Sequence, residues 1–369
     1  MSEQSTTTTM PSSESAGSGR RRSRVPFILT IAVCFIAAFS VYLWGRGQTV
    51  RPVRLALVTW NNDPFWDPVI RGADDAAQEW TVKLTTIRST PEVETQSNHV
   101  RNLLARRIDG IAISPNNPQA QATLLNEAAE KTVLITFDSD APDSKRRLFV
   151  GTDDYAAGGF AAEEVHDVLP DGGAVIISVG SLDTVNGRAR RQGLIDTLLG
   201  RPFNRDRTPD PVDAKLAGTK YSIVATVLDG ADVAKGKSLI ADALKTHPEA
   251  KCVVALWSYS AGVALGGIDQ AGKPGQVKVI AFDESPETQA GIEAGTVQAS
   301  IVQDQYRIGY EAIRTLASTV RGLEQGGPLG PRVIYLPIQV MRRDNLEALR
   351  AQNRVRRLEP TTGTSTGAT

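Results

Sequence analysis

Eight polar and aromatic residues, spread over most of this 369-residue chain, end a short apolar run or follow one closely. They are Asp63, Phe65, Trp66, Asp138, Arg188, Ser260, Asp283 and Gln303. Apolar runs such as 55–58, 133–137 and 277–282 are typical of buried strands. In open α/β sheets, ligands bind beyond the carboxyl ends of the strands. Carboxylates accept hydrogen bonds from hydroxyls, and an arginine donates to oxygens. Aromatic rings can cover apolar C–H faces, so the set predicts a site for a small polyhydroxylated ligand, such as a sugar, rather than an enzyme.

Five of these residues also have an ordinary structural interpretation. Phe65 and Trp66 could be a hydrophobic staple at the start of a helix, and Asp138 and Asp283 could be N-caps. Gln303 could be a polar turn residue. Arg188 is harder to explain in this way, because a cation in the first turn of a helix opposes the helix dipole.

Composition and motifs exclude several classes of function. The chain has 41 Lys and Arg against 41 Asp and Glu, so it lacks the basic field that nucleic-acid binding requires. It contains no G-x-S-x-G, H-E-x-x-H or P-loop motif, and no G-x-G-x-x-G after the first strand. The three histidines, His99, His166 and His247, have no carboxylate or cysteine cluster around them. We therefore predict no catalytic residues, no cofactor, no metal and no nucleic-acid partner.

The N-terminus predicts attachment to a membrane or export across it. Residues 1–24 are polar, read as a disordered tail, and end in a cluster of arginines. Residues 25–44 carry no charge over 20 positions, which is long enough to span a bilayer. A retained anchor, a cleaved signal peptide and a lipidated N-terminus remain alternatives. All three place the rest of the chain on the periplasmic or extracytoplasmic side of a bacterial cytoplasmic membrane.

From Val53 onward, after a linker at 45–52, strand-like and helix-like segments alternate, pause near 151 and begin again. This alternation predicts parallel sheets covered by helices on both faces. The length favours two doubly wound lobes of the same architecture. Residues 200–220 interrupt the rhythm and are predicted to form a long surface loop; their three aspartates lack the spacing of a calcium loop.

Several motifs occur in the order and spacing typical of one protein family. They are Asp63-Pro64-Phe65-Trp66, the run 108–115, Phe137-Asp138, Val150-Gly151-Thr152-Asp153-Asp154, Asn186-Gly187-Arg188-Ala189-Arg190, the run 279–283 and Ala299-Ser300-Ile301-Val302-Gln303. From about Val53 to Ile338, the chain resembles the type I periplasmic sugar-binding proteins of ABC transporters, the ribose- and galactose-binding group.

The resemblance implies two lobes joined by a three-segment hinge. The first lobe would comprise 53–152 and 304–335, and the second 153–303 and 336–348, with 349–369 as a polar tail. Asp63, Phe65, Trp66 and Asp138 would face the ligand from the first lobe. Arg188, Ser260, Asp283 and Gln303 would face it from the second. The lobes would close around the ligand, and an ABC permease and ATPase would receive it.

Three departures from the ribose-type pattern bear on the ligand. Asp63 and Ser260 stand where asparagine is common, and Ser139 stands where arginine is common. The predicted cleft is therefore more acidic than that of the ribose type, which favours another sugar, a polyol such as inositol, or an amine-bearing ligand. The alternative function is a membrane-tethered sensor that signals to a kinase or chemoreceptor. A transcription regulator is disfavoured because no helix-turn-helix precedes Val53.

Overall fold

Two sheets, each covered by helices on both faces, organise the residues that this computed structural model describes, 51–323 and 332–358. The strands are β1 (Arg54–Val58), β2 (Lys83–Ile87), β3 (Gly110–Ile113), β4 (Val133–Phe137), β5 (Leu148–Gly151), β6 (Gly173–Val179), β7 (Leu216–Ala217), β8 (Tyr221–Leu228), β9 (Ala250–Ala255), β10 (Lys278–Phe282), β11 (Ala299–Gln303), β12 (Arg332–Tyr335) and β13 (Ile338–Met341). The helices are α1 (Trp66–Glu79), α2 (Val93–Ala105), α3 (Ala122–Lys131), α4 (Asp154–Val168), α5 (Val185–Leu198), α6 (Val233–Thr246), α7 (Ser260–Gln270), α8 (Pro286–Ala294), α9 (Gln305–Val320) and α10 (Leu346–Leu358).

The first sheet has the strand order β12-β5-β4-β3-β1-β2 and is parallel throughout. The second has the order β13-β11-β10-β9-β6-β8-β7, in which β13 and β7 pair antiparallel with their neighbours at the two edges. This arrangement confirms the predicted two-lobe α/β architecture with mostly parallel sheets.

Alternation of side chains along each central strand supplies a core to both faces of its sheet. In β1, Leu55 and Leu57 pack against α1 and α9, whereas Ala56 and Val58 pack against α2 and α3. The second sheet repeats the pattern, with α4 and α5 on one face and α6 and α7 on the other. Because both faces are buried, these strands are apolar at almost every position.

The chain passes between the two sheets three times. It leaves the first sheet after Gly151 and enters α4 at Asp154, on the second sheet. It returns after Gln303, since α9 packs on the first sheet, and crosses again between Tyr335 and Ile338. Three short, adjacent connections between two otherwise separate cores are the geometry of a hinge.

Two segments make contacts that the sequence did not indicate. The segment 200–220 is a largely exposed loop, as predicted, but it is held in place: the buried Arg191 donates to the carbonyls of Asp210 and Pro211, and Arg201 and Arg207 pair with Asp196. The helix α10 occupies positions where a polar tail was expected to begin. It starts at the buried Leu346, and its Arg350 pairs with Glu293 of α8.

The predicted membrane segment, 25–44, lies outside the described residues. Within 51–323 and 332–358, no helix combines the length and apolar character that crossing a bilayer requires.

Candidate functional site

The carboxyl ends of the central strands of both lobes meet at a cavity. It is lined from the first lobe by Trp60, Asn61, Asp63, Phe65, Trp66 and Asp138, and from the second by Asn186, Arg190, Trp257, Ser258, Tyr259, Asp283 and Gln303. The lobes touch here, since Ser258 Oγ lies 3.3 Å from Asp63 Oδ1 and the rings of Trp60 and Trp257 meet edge to face at 5.3 Å.

The turn after β1 is held by its own side chains. The amide of Phe65 donates to Asp63 Oδ1 at 2.8 Å, and the amide of Asp63 donates to Asn61 Oδ1 at 3.1 Å. Asn61 Oδ1 also accepts from Trp66 Nε1 at 2.6 Å. Short polar side chains that bond the backbone two residues on are typical of tight turns, and here they direct Asp63 into the cleft.

Asp138 and Asp283 occupy equivalent positions in the two lobes. Each follows the last residue of a central strand, with φ of 59° and 60° respectively. Each backbone amide continues the ladder by donating to the neighbouring strand, Asp138 to Val150 and Asp283 to Ile301. The left-handed conformation, which aspartate and asparagine tolerate better than most residues, ends the strand and turns each carboxylate towards the cavity.

A buried guanidinium lies among the carboxylates. Arg190 is 2% exposed; its Nε donates to Asp154 Oδ1 at 2.8 Å and its Nη1 donates to the carbonyl of Leu256 at 3.0 Å. Burial raises the pKa of Asp138 to about 7 and that of Asp154 to about 6, although the charge of Arg190 opposes both shifts. Burial also raises the pKa of Asp283. The site thus holds several carboxyl groups whose charged forms are costly without a partner.

Gln303 links the site to the crossings between the lobes. Its Nε2 donates to Asp283 at 3.1 Å, and its Oε1 accepts from Thr152 Oγ1 at 2.8 Å. Thr152 lies in the first crossing and Gln303 ends the strand that leads into the second. Gln303 therefore connects Asp283 by hydrogen bonds to two of the three connections between the lobes.

The structure brings together six of the eight residues predicted from the sequence and places two elsewhere. Arg188 does not line the cavity; its Nη1 donates to the carbonyls of Leu182 and Asp183. Ser260 is fully buried at the start of α7, behind the cavity wall. Trp66 lines the cavity but is only 1% exposed and also packs against Phe137 in the core, so both of its interpretations hold in part.

Arg190 replaces Arg188 in the site for a geometric reason. Residues two positions apart on a helix point about 200° away from each other, whereas residues four apart share a face. Asn186 and Arg190 therefore reach the cavity together from α5. The four-residue spacing from Asn186 is the sequence signal that could have indicated Arg190.

The remaining unpredicted residues obey the strand-end rule. Trp60 and Asn61 follow β1, and Trp257, Ser258 and Tyr259 follow β9. Tyr259 is held by a hydrogen bond of 2.6 Å from its hydroxyl to the buried Asp229. No group of three or more His, Cys, Asp or Glu in the described part of the chain is arranged to hold a metal ion.

Known proteins share both the sequence pattern and this fold. The chain is 23% identical over 310 residues to a ribose import binding protein of Bacillus subtilis, covering 82% of this chain and 94% of that one. It is 25% identical over 266 residues to a D-allose-binding periplasmic protein of Escherichia coli, covering 69% and 80%. An ABC transporter solute-binding protein from Burkholderia graminis, solved with D-arabinose, superposes with a TM-score of 0.72 at 26% identity, covering 81% and 98%.

A family profile decides the classification. The profile of the periplasmic binding protein domain matches residues 55–324, which include most of both lobes and every residue that lines the cavity. This chain therefore belongs to the periplasmic binding protein family.

Proposed function

We propose that this protein is the solute receptor of an ABC importer, that it binds a sugar or polyol between its lobes, and that it performs no catalysis. The observation that carries the proposal is the cavity at facing strand ends, with carboxylates, a guanidinium and aromatic rings contributed by both lobes. A ligand that contacts both lobes favours the closed state by its differential affinity. Membership of this family supports a binding role without catalysis. The lack of the enzyme motifs sought in the sequence is consistent with it.

The relatives' names favour an importer over the sensor alternative. The Bacillus subtilis relative is named for ribose import, and the Burkholderia graminis protein is described as part of an ABC transporter. We accordingly propose a permease and an ATPase as the partners. We also propose that residues 25–44 place the protein on the extracytoplasmic side of the membrane, as a retained anchor or as an export signal.

Thermal unfolding of the full-length chain in detergent micelles tests the binding proposal. The probes are D-ribose, D-arabinose, D-allose, D-galactose and myo-inositol. A ligand at 100 times its dissociation constant stabilises the folded state by about 2.7 kcal/mol, which raises Tm by a few degrees in a chain of this size. Asp283→Asn should abolish the shift, because the amide replaces a carboxylate that accepts ligand hydroxyls.

Asp242→Asn is the matched control. Asp242 lies near the end of α6 with an exposed side chain paired to Lys245, and it does not line the cavity. A shift that survives in both variants would place the binding site elsewhere on the protein.

A further inference from the structure

Negative charge exceeds positive charge in the cleft. Asp63, Asp138 and Asp283 line the cavity, and Arg190 is the sole cation among the described residues that line it. Arg190 is already paired with a fourth carboxylate, Asp154, directly behind the wall. A neutral sugar brings no positive charge to offset this excess.

The excess is divided between the lobes. Asp63 and Asp138 belong to the first lobe and Asp283 to the second, and their charges interact: Asp63 and Asp138 are each close enough to Asp283 for repulsion to raise a pKa. Closing the cleft therefore brings like charges together. A cation bound between them removes this repulsion in the closed state alone, which is the differential interaction that drives closure.

Two residues that line the cavity carry a buried donor without a partner. Arg190 Nη2 and Trp257 Nε1 have no hydrogen-bond acceptor within the described protein, and the side chains are only 2% and 5% exposed. Because buried donors are normally satisfied, a ligand with acceptor oxygens as well as a positive charge suits the site. Hydroxyl oxygens meet this requirement, because each can accept from these donors while donating to a carboxylate.

Aromatic rings complete a site suited to an ammonium group. Trp60, Phe65, Trp66, Trp257 and Tyr259 all line the cavity. The face of an aromatic ring attracts cations, most strongly when the pair is desolvated. Rings combined with carboxylates from both lobes bind an ammonium more strongly than a hydroxyl of the same size.

We propose that the ligand is an amine-bearing sugar or cyclitol, with its ammonium between Asp63 and Asp283 and its hydroxyl oxygens on Arg190 and Trp257. This inference rests on the proposed function, since it specifies the class of sugar or polyol that the same cleft takes. It identifies Asp63 as the residue that determines specificity.

Isothermal titration of the full-length chain in micelles at pH 7.5 tests the proposal with matched probes. The pairs are D-glucosamine and D-glucose, D-galactosamine and D-galactose, and scyllo-inosamine and scyllo-inositol; the N-acetylated forms of the two amino sugars keep the nitrogen but remove its charge. In at least one pair the amine should bind at least tenfold more tightly than its hydroxyl counterpart. N-acetylation should remove that advantage.

Asp63→Asn tests the assigned residue. The amide keeps the oxygen that accepts from the Phe65 amide and removes the charge. The preference for the amine should fall at least tenfold, while the affinity for the neutral member of the pair changes less than threefold. Asp242→Asn, which changes the net charge equally and does not line the cavity, should leave the preference intact.

The outcomes separate the two proposals. If a neutral sugar binds as tightly as its amine, the inference of a cationic ligand is overturned and the sugar-binding function stands. If neither the amines nor the neutral sugars and polyols bind, both are overturned. Retention of the amine preference in Asp63→Asn would overturn the role given to Asp63.

Discussion

At the scale of single residues, the site depends on two aspartates in the left-handed backbone conformation. Asp138 and Asp283 have the same φ within a degree and the same relation to their strands. Most residues strain at this φ by about 1 kcal/mol, whereas asparagine tolerates it. An Asn substitution therefore changes the charge of either site while preserving its backbone.

Asp138→Asn should change how stability depends on pH. The folded-state pKa of Asp138, about 7, exceeds the unfolded value of 3.8, so the folded protein binds more protons between these values. The free energy of unfolding must then fall as pH rises through that window, by on the order of 2–4 kcal/mol from this group. The charged groups that face Asp138 are Arg190, Asp154 and Asp283. Because the pKa of Asp154 is also raised, the variant should keep a smaller dependence of stability on pH.

Urea unfolding at pH 5 and pH 8 measures this effect. The difference in unfolding free energy between the two pH values should be markedly smaller in Asp138→Asn than in the unmodified protein, whereas Asp242→Asn should preserve it. An identical pH dependence in Asp138→Asn would show that this carboxyl titrates normally in the folded protein.

Substitution of two neighbouring arginines tests which of them contributes to the site: Arg188, as the sequence predicted, or Arg190, as the structure shows. Arg190→Lys loses the planar fork that joins Asp154 to the carbonyl of Leu256, so ligand affinity should fall at least tenfold. Arg188→Lys should alter affinity less than threefold, because Arg188 contacts carbonyls outside the cavity. Titration of both variants with the tightest-binding probe decides the matter. A larger loss of affinity in Arg188→Lys than in Arg190→Lys would show that Arg188 contacts the ligand.

At the scale of elements, each lobe contains a helix pair in close contact through glycine. In the second lobe, a Cβ on Gly158 of α4 would lie 2.0 Å from the Arg190 carbonyl oxygen, and one on Gly193 of α5 would lie 1.9 Å from that of Tyr155. Gly72 of α1 and Gly309 of α9 repeat the arrangement in the first lobe. α4 and α9 both follow a crossing between the lobes, so these contacts fix the helices into which the crossings lead.

Gly158→Ala and Gly159→Ala form a matched pair within one helix. At Gly158 the new methyl would meet backbone, which cannot give way, so unfolding should be easier by about 3 kcal/mol or more. At Gly159 its nearest neighbour would be the Thr197 hydroxyl at 3.3 Å, and alanine favours helix, so the change should stay within about 1 kcal/mol. Chemical denaturation measures both. Similar values for the two variants would mean that α4 and α5 can separate at little cost.

At the scale of the whole molecule, the long loop after α5 contacts the crossings. The Arg205 guanidinium pairs with Asp153 in the first crossing and lies 5.8 Å from the ring centroid of Tyr335, which precedes the third. The segment 200–220, predicted only as a surface loop, thus contacts two of the three crossings between the lobes. Its effect should be on motion more than on stability, since the arginine side chain is 46% exposed.

Arg205→Ala should accelerate amide hydrogen exchange at 152–154 and at Tyr335 and Leu336 several-fold, while changing the unfolding free energy by less than about 1 kcal/mol. Arg101→Ala, which removes an exposed pair with Glu94 on α2, is the control and should leave exchange at the crossings unchanged. Unaltered exchange in Arg205→Ala would show that the loop does not restrain the crossings.

The amino-acid sequence by itself determined the layered architecture and six of the thirteen residues that line the candidate site. Apolar runs of strand length, alternating with helical periodicity, specify parallel sheets, and the carboxyl ends of parallel strands lie at one edge of each sheet. This rule located Asp63, Asp138, Asp283 and Gln303, and it would also have located Trp257 to Tyr259. Local pattern is sufficient here because strand direction and side-chain alternation are local properties.

Only the tertiary structure decided which partners those residues have. The pairing of Arg190 with Asp154 and the contact of Trp60 with Trp257 both join residues distant in the sequence. So do the attachments of the 200–220 loop and the packing of Leu346. These contacts depend on how helices rotate against sheets and how the lobes approach each other, which are set by side-chain packing summed over the whole chain rather than by any local period.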